Sequence, residues 1–273
     1  DGSGRTVVRG GYGIYYDQSA LAPGEGLYFN EPFFDFDLFF PVPQAGLFLS
    51  LSDPFPSNFP FPLPPSALTF QRDLRTPYLH QWNAGIQQEL GRGRTVEVAY
   101  VGSRGRNLIR GRDINQAEPS TSFPNLRPNP FFADIIAVES MARSTYDALQ
   151  VHFQEQLPSG SVMVSYTLAD SQDNASGFFS SAGDPNFPQD NNNPEAELGP
   201  SAFHLRHRFA LSFTYDLPFG AGHRYATGGW QSALFGGWQA AGIVSAQSGQ
   251  PFTVALLPEL DQSNTGRAAL GFG

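Results

Sequence analysis

Cysteine and lysine are both missing from this sequence. Without cysteine there are neither disulfides nor thiolate metal sites. Without lysine, all 16 cationic side chains are arginine, set against 25 carboxylates for a net charge of −9. Phosphate backbones are bound by a surplus of cations, so this balance argues against nucleic acid as a partner. No run of 18 apolar residues occurs, which removes the transmembrane helix. A membrane barrel survives that test, because its strands need apolar residues only at alternate positions. Charge itself is scarce: 15% of residues, where an ordinary soluble domain carries about 25%. Segments with a 3.6-residue apolar period are not evident either. The chain opens at Asp1 without a targeting segment and closes on "ALGFG", and is read as a piece of something longer.

What is abundant is glycine (29), proline (23) and aromatic residues (14%), the usage of many strands joined by turns and irregular loops. Within that background, period-2 alternation recurs, the mark of a strand whose two faces meet different surroundings. "HRFALSFTYDLPFG" (207–220) puts Phe209, Leu211, Phe213 and Tyr215 on one side, with Arg208 and Asp216 on the other; Arg206 just before it falls on the polar side. "TVVRGGYGIYYD" (6–17) opposes Val8, Tyr12, Ile14 and Tyr16 to Arg9, Tyr15 and Asp17. "LHQWNAGIQQEL" (79–90) opposes Trp82, Ala84, Ile86 and Leu90 to Gln81, Asn83 and Gln87. "TVEVAYVGS" (95–103) opposes Val96, Val98 and Tyr100 to Glu97. "YDALQVHFQEQL" (146–157) opposes Leu149, Val151 and Phe153 to Gln150, His152 and Gln154. "SVMVSYTLA" (161–169) repeats the pattern, and "GWQAAGIVSAQSG" (237–249) supplies a seventh, less clearly sided segment.

The connections alternate in length: long (18–77), short (91–94), long (about 110–144), short (158–160), long (170–203), then intermediate (218–236). An antiparallel meander with one decorated end has that rhythm, as outer-membrane barrels do. Most segments also reach the ~9–11 residues a tilted strand needs to cross the hydrocarbon layer. Tyr and Trp gather near segment ends, at the level where a ring with a polar tip is satisfied. The polar alternates are rich in Gln, Ser and Thr, costly in a dry core unless fully bonded but suited to a wet or plugged lumen. The expected fold is therefore all-β: a partial transmembrane antiparallel β-barrel of about seven strands with long extracellular loops. The thirteen polar-side residues named above, Arg9 through Asp216, are expected to face the lumen.

"RTVVRGGYGIYYD", "TPYLHQWNAGIQQEL", "VEVAYVGSRGRNL", "STYDALQV", "SYTLADSQDNASGFFSSAGDPNFPQDNNN", "RHRFALSFTYDLPFG" and "GWQAAGIVSAQSGQPFTV" stand in that order along the chain. Together they resemble the TonB-dependent receptors of the Oar-like group, over nearly the whole length. The resemblance implies a closed outer-membrane barrel of about 22 strands with a plugged lumen. It also implies a plug, an N-terminal domain and a TonB-contacting segment upstream of Asp1, and further strands downstream of Gly273. The partners that follow are outer-membrane lipid, the TonB complex through that upstream region, and an unidentified solute taken up by the full-length protein. A passive porin or adhesin-like barrel is the first alternative. A soluble extracellular glycan-binding β-protein is the second.

No catalytic constellation emerges, so an enzyme is not expected, nor a cofactor. His204 and His207, three apart, point to opposite faces of a strand. "YVGSRGR" lacks the G-x-S-x-G spacing of a nucleophile turn, and "GGYGIYY" lacks that of a phosphate loop. The loop "GDPNFPQDNNNPEAELG" (183–199) offers oxygen donors for calcium, with Asp184, Asn186 and Asp190 foremost, although prolines break it and a solvated loop is the plainer reading. The Phe- and Pro-rich stretch 31–65 is too apolar for a simple disordered linker. It suggests a self-packed loop or a lid over the barrel mouth.

Overall fold

The computed structural model describes residues 4–17, 64–91, 93–117, 127–177 and 190–252, with Leu27, Asn30, Ser52 and Pro188. They form one open, nine-stranded sheet. The main path runs β1 (Thr6–Tyr16), β3 (Tyr78–Gly91), β4 (Arg94–Asp113), β5 (Ile135–Leu157), β6 (Gly160–Asp173), β8 (His207–Asp216) and β9 (Gln239–Gln247), each antiparallel to the next. Two short strands sit beside it: β2 (Ala67–Phe70), parallel to β5, and β7 (Gly199–Pro200), antiparallel to β6. All seven alternating segments are strands of the meander. A seven-residue helix α1 (Gly229–Phe235) lies between β8 and β9. Two turns are too few to show an apolar period, so no alternation or periodicity marks it.

Pairing register converts seven separate alternations into two continuous surfaces, because directly opposite residues share a face. Val8, Ile86, Val98, Val151, Tyr166, Phe209 and Ala246 line up across all seven strands. The adjacent row, on the reverse side, reads Val7, Gln87, Glu97, His152, Ser165, Ala210 and Ser245. The first row is apolar from edge to edge, and the second is polar or small apart from Val7 at its edge.

A second layer over the apolar face is missing among the described residues. Among the described residues the buried hydrophobic side chains are five alanines and Val138, none of them in the aligned apolar row, whereas Val8 is 73% exposed and Ile86 53%. At ~25 cal/mol per Å² of apolar surface, leaving these rows in water would forfeit most of what folding gains. On that face Trp82 lies flat across Gly102, where an added Cβ would sit 2.4 Å from the indole. Gly102→Val is expected to expel the ring and lower the unfolding midpoint, with a shift in tryptophan emission as the readout.

The structure departs from the expected long connection at 110–144. β4 runs on to Asp113 and β5 starts at Ile135, making strands of 20 and 23 residues. Both are about twice what crossing a bilayer needs. The extension was hidden because register slips twice, between Gly105 and Leu108 and again between Leu108 and Arg110. Asn107, with φ 55, marks the first slip. An extra residue in a strand flips everything after it to the other side. "RGRNLIRGR" therefore splits: Arg104 and Arg106 share the Val98 face, while Arg110 and Arg112 turn to the Gly105 side.

Beyond Ser144 the edge of β5 is no longer covered by β6, and β2 takes it, Leu68 opposite Ile136. The connection between β1 and β3 thus reaches past β4 to the far side of β5. Asn30 closes the other edge of β2 with a two-way amide bond, Nδ2 to the Leu68 carbonyl and Leu68 N–H to Oδ1, both 2.7 Å. Nearly all of stretch 31–65 lies outside the described residues.

Candidate functional site

Three features of the sheet carry chemistry: its polar face, its apolar band and its clamped outer end.

The register sets Arg9, Tyr15, Gln81, Asn83, Gln87, Glu97, Gln150, His152, Gln154 and Arg208 on one face. Asp216, opposite Gln239, shares it by alternation with Arg208, and the Gln239 amide donates to its Oδ1 at 2.8 Å. Asp17 and Arg206 stand one residue outside their strands and prolong the ladders, with Asp17 N–H on the Pro77 carbonyl and Ala169 N–H on the Arg206 carbonyl. The thirteen residues are spread over the sheet and converge on no single pocket. Short polar contacts knit the face locally: His152 Nδ1 with Ser165 Oγ at 2.9 Å, Ser161 Oγ with Thr214 Oγ1 at 3.0 Å.

On the apolar face, two ion pairs across the β4–β5 seam bracket the hydrophobic rows. Arg94 meets Glu155 at 2.6 Å near the short turns, and Arg104 meets Asp147 at 2.8 Å toward the long connections. Between them on this face lie Val96, Val98, Tyr100 and Gly102 of β4 and Leu149, Val151 and Phe153 of β5. Arg94 and Arg104 are ten positions apart. At about 3.3 Å per residue and a tilt of about 40° that separation spans about 25 Å, the height of the apolar band of an outer-membrane barrel. The far bracket is built from aromatic and cationic groups. The Arg104 guanidinium stacks 5.2 Å from the Trp82 ring centroid, and the Tyr100 hydroxyl donates to Asp147. Tyr12 and Tyr166 each bond a histidine Nδ1, of His80 and His207. Tyr78 packs edge-on to His80 at 5.3 Å.

At the outer end, the Arg112 guanidinium forks onto Glu139 through two 2.8 Å bonds and donates to the Asn191 carbonyl at 3.1 Å. Asn191 is 4% exposed; its Oδ1 accepts from Asp113 N–H, and its backbone and side-chain N–H groups both reach Gln116 Oε1. Arg110, fully buried, donates to the Asn174 carbonyl at 2.8 Å. Arg127 joins Asp113 and Asp134. Burial pushes the Asp113 carboxyl above its usual range, countered by N–H bonds from Asn115 and Ile135. This clamp fastens segment 190–198 to the β4–β5 extension, and no motif announced it; the forked Arg112–Glu139 pair depends on the register slips. Arg112→Gln is expected to raise cleavage after Glu195 or Glu197 by a glutamate-specific protease about tenfold, equivalent to ~1.4 kcal/mol of lost local stability.

Of the calcium candidates, Asp184 and Asn186 lie outside the described residues. Asp190 is exposed and accepts the Asn192 N–H at 2.8 Å, a local turn. Among the described residues, no group of three or more histidines and carboxylates is placed to hold a metal.

The outer membrane beta barrel domain family model matches residues 1–270. The chain belongs to that family. Its fold is similar to that of the outer membrane transporter YddB from Escherichia coli, with a TM-score of 0.52 at 13% identity. That alignment covers 94% of this chain and 28% of the transporter, so the chain spans little more than a quarter of it. No curated protein sequence matches significantly. The sheet is thus an outer-membrane β-barrel domain, open as described here, and the protein resides in the outer membrane.

Proposed function

We propose that this chain is a barrel segment of a TonB-dependent receptor of the Oar-like group, whose full-length form takes up a solute with energy from the inner membrane. The single observation that carries the orientation is the apolar face of about bilayer height, bracketed by ion pairs and left uncovered among the described residues. In this reading that face meets hydrocarbon, and the face bearing Arg9, Gln81, Asn83, Glu97, His152 and Arg208 lines the lumen, where it contacts a plug or the passing solute. The clamped outer end lies on the extracellular side. Uptake rather than catalysis fits a polar face of dispersed groups without a convergent set. The long outer strands and the word-by-word resemblance favour a receptor over a passive pore.

Conductance separates the two. The full-length protein in a planar bilayer is expected to stay closed, and to open when urea dislodges a plug from the lumen. Steady open conductance without urea would identify a passive pore instead. Binding of the purified periplasmic domain of TonB to the full-length protein is the second expected result, and its absence contradicts energised uptake.

A further inference from the structure

The cations beyond the apolar band are unevenly placed. On the apolar side, His80 of β3 stands opposite Arg104 of β4, and Tyr78 opposite Arg106. The carboxylates on the same face, Asp147 and Asp170, stand opposite each other on β5 and β6. Asp147 is engaged by Arg104 and Tyr100, and Asp170 accepts the Gln172 amide at 3.1 Å. In a chain of net charge −9, the Arg104 charge is matched by Asp147, which leaves Arg106, immediately outside the hydrophobic rows, as a cation without a carboxylate partner among the described residues.

Arg104 is held rigidly by the Ser103 and Tyr146 carbonyls, Asp147 and the Trp82 ring. Arg106 is exposed, and among the described residues its guanidinium makes one long bond, 3.5 Å to the Gly105 carbonyl. His80 uses Nδ1 on Tyr12. Residues i and i+2 of a strand are about 6.6 Å apart along the backbone on one face, so one phosphate lies within reach of both long side chains. Arginine also presents its donors in a fork that fits phosphate oxygens.

We propose that Arg104 and Arg106, with His80 beside them, hold the terminal phosphate monoester of an anionic lipid headgroup in the outer leaflet, its chains lying along Trp82, Ala84 and Val98. The assignment rests on the orientation proposed above, with the apolar face toward lipid. The slip at Asn107 gives it a structural cause: it ends the outward row of arginines at Arg106 and turns Arg110 and Arg112 inward to the clamp.

The test uses the full-length protein with Trp82 as its one tryptophan, in vesicles of phosphatidylcholine containing phosphatidic acid, with either lipid brominated in its chains. Quenching of Trp82 is expected to report association of phosphatidic acid about tenfold stronger than that of phosphatidylcholine. The preference should vanish in Arg106→Gln and in the Arg104→Gln/Arg106→Gln double variant, and persist in Arg224→Gln at the opposite end of the sheet. Quenching by both lipids without preference overturns the phosphate site while leaving the orientation intact. Absence of quenching by either overturns both. Loss of the preference on adding millimolar inorganic phosphate would reassign the spot to a soluble anion and overturn the lipid assignment.

Discussion

Val151→Arg is expected to destabilise the barrel in lipid by about 2–4 kcal/mol, the cost of an arginine on the lipid face at the bilayer midplane. Val151 sits midway between Asp147 and Glu155, the two carboxylates that bound the band on β5, with Val98 and Tyr166 as its lateral neighbours. Its chain neighbour Gln150 faces the other way, opposite Ala99 and Thr167. Gln150→Arg is expected to change stability by less than about 0.5 kcal/mol, as a solvated substitution does. Urea titrations of the two variants in phospholipid vesicles measure the contrast. Equal losses would mean that the faces do not differ in solvent.

Gly160→Ala is expected to cost about 3 kcal/mol or more, through a different cause. Gly160 starts β6 at φ +155, and an added Cβ would lie 2.0 Å from the Thr214 carbonyl oxygen of β8. That backbone cannot yield without opening the β6–β8 ladder, in which Gly160 pairs with Tyr215 and Asp216 N–H bonds the Ser159 carbonyl. Hydrogen exchange at Val162 and Phe213, paired three positions into the ladder, should accelerate with the loss of stability. Unchanged exchange there would contradict the register of the β6–β8 ladder.

The meander was legible because side-chain alternation is a local property, which six stretches carry clearly and the seventh, 237–249, less so. Their union into one apolar and one polar surface was legible for the same reason: a slip of one residue in any pair would have mixed the rows. The β4–β5 extension was not. The slips at Asn107 and Arg110 break the period-2 pattern, and a reader of alternation stops at the first of them. The clamp at Arg112, Glu139 and Asn191 was invisible in consequence, since it joins residues as much as 79 positions apart. β2 escaped notice because its pairing is parallel and lies on a strand edge that only the extension exposes. The ion pairs that bracket the apolar band needed register too: Arg94 and Glu155 are 61 positions apart, and nothing in either segment names the other.

Outer-membrane residence and the open antiparallel sheet follow from the fold and the family. The allocation of the two faces is the premise beneath receptor function and lipid-phosphate binding alike. Single cysteines placed in turn from Asp147 to Glu155 test it directly, in a full-length protein free of other cysteines and reconstituted in vesicles. Positions 148, 150, 152 and 154 are expected to react with a membrane-impermeant aqueous maleimide, and 149, 151 and 153 only with a lipid-dissolved one. Aqueous labelling at 149, 151 and 153, or the same reactivity at every position, would contradict the account.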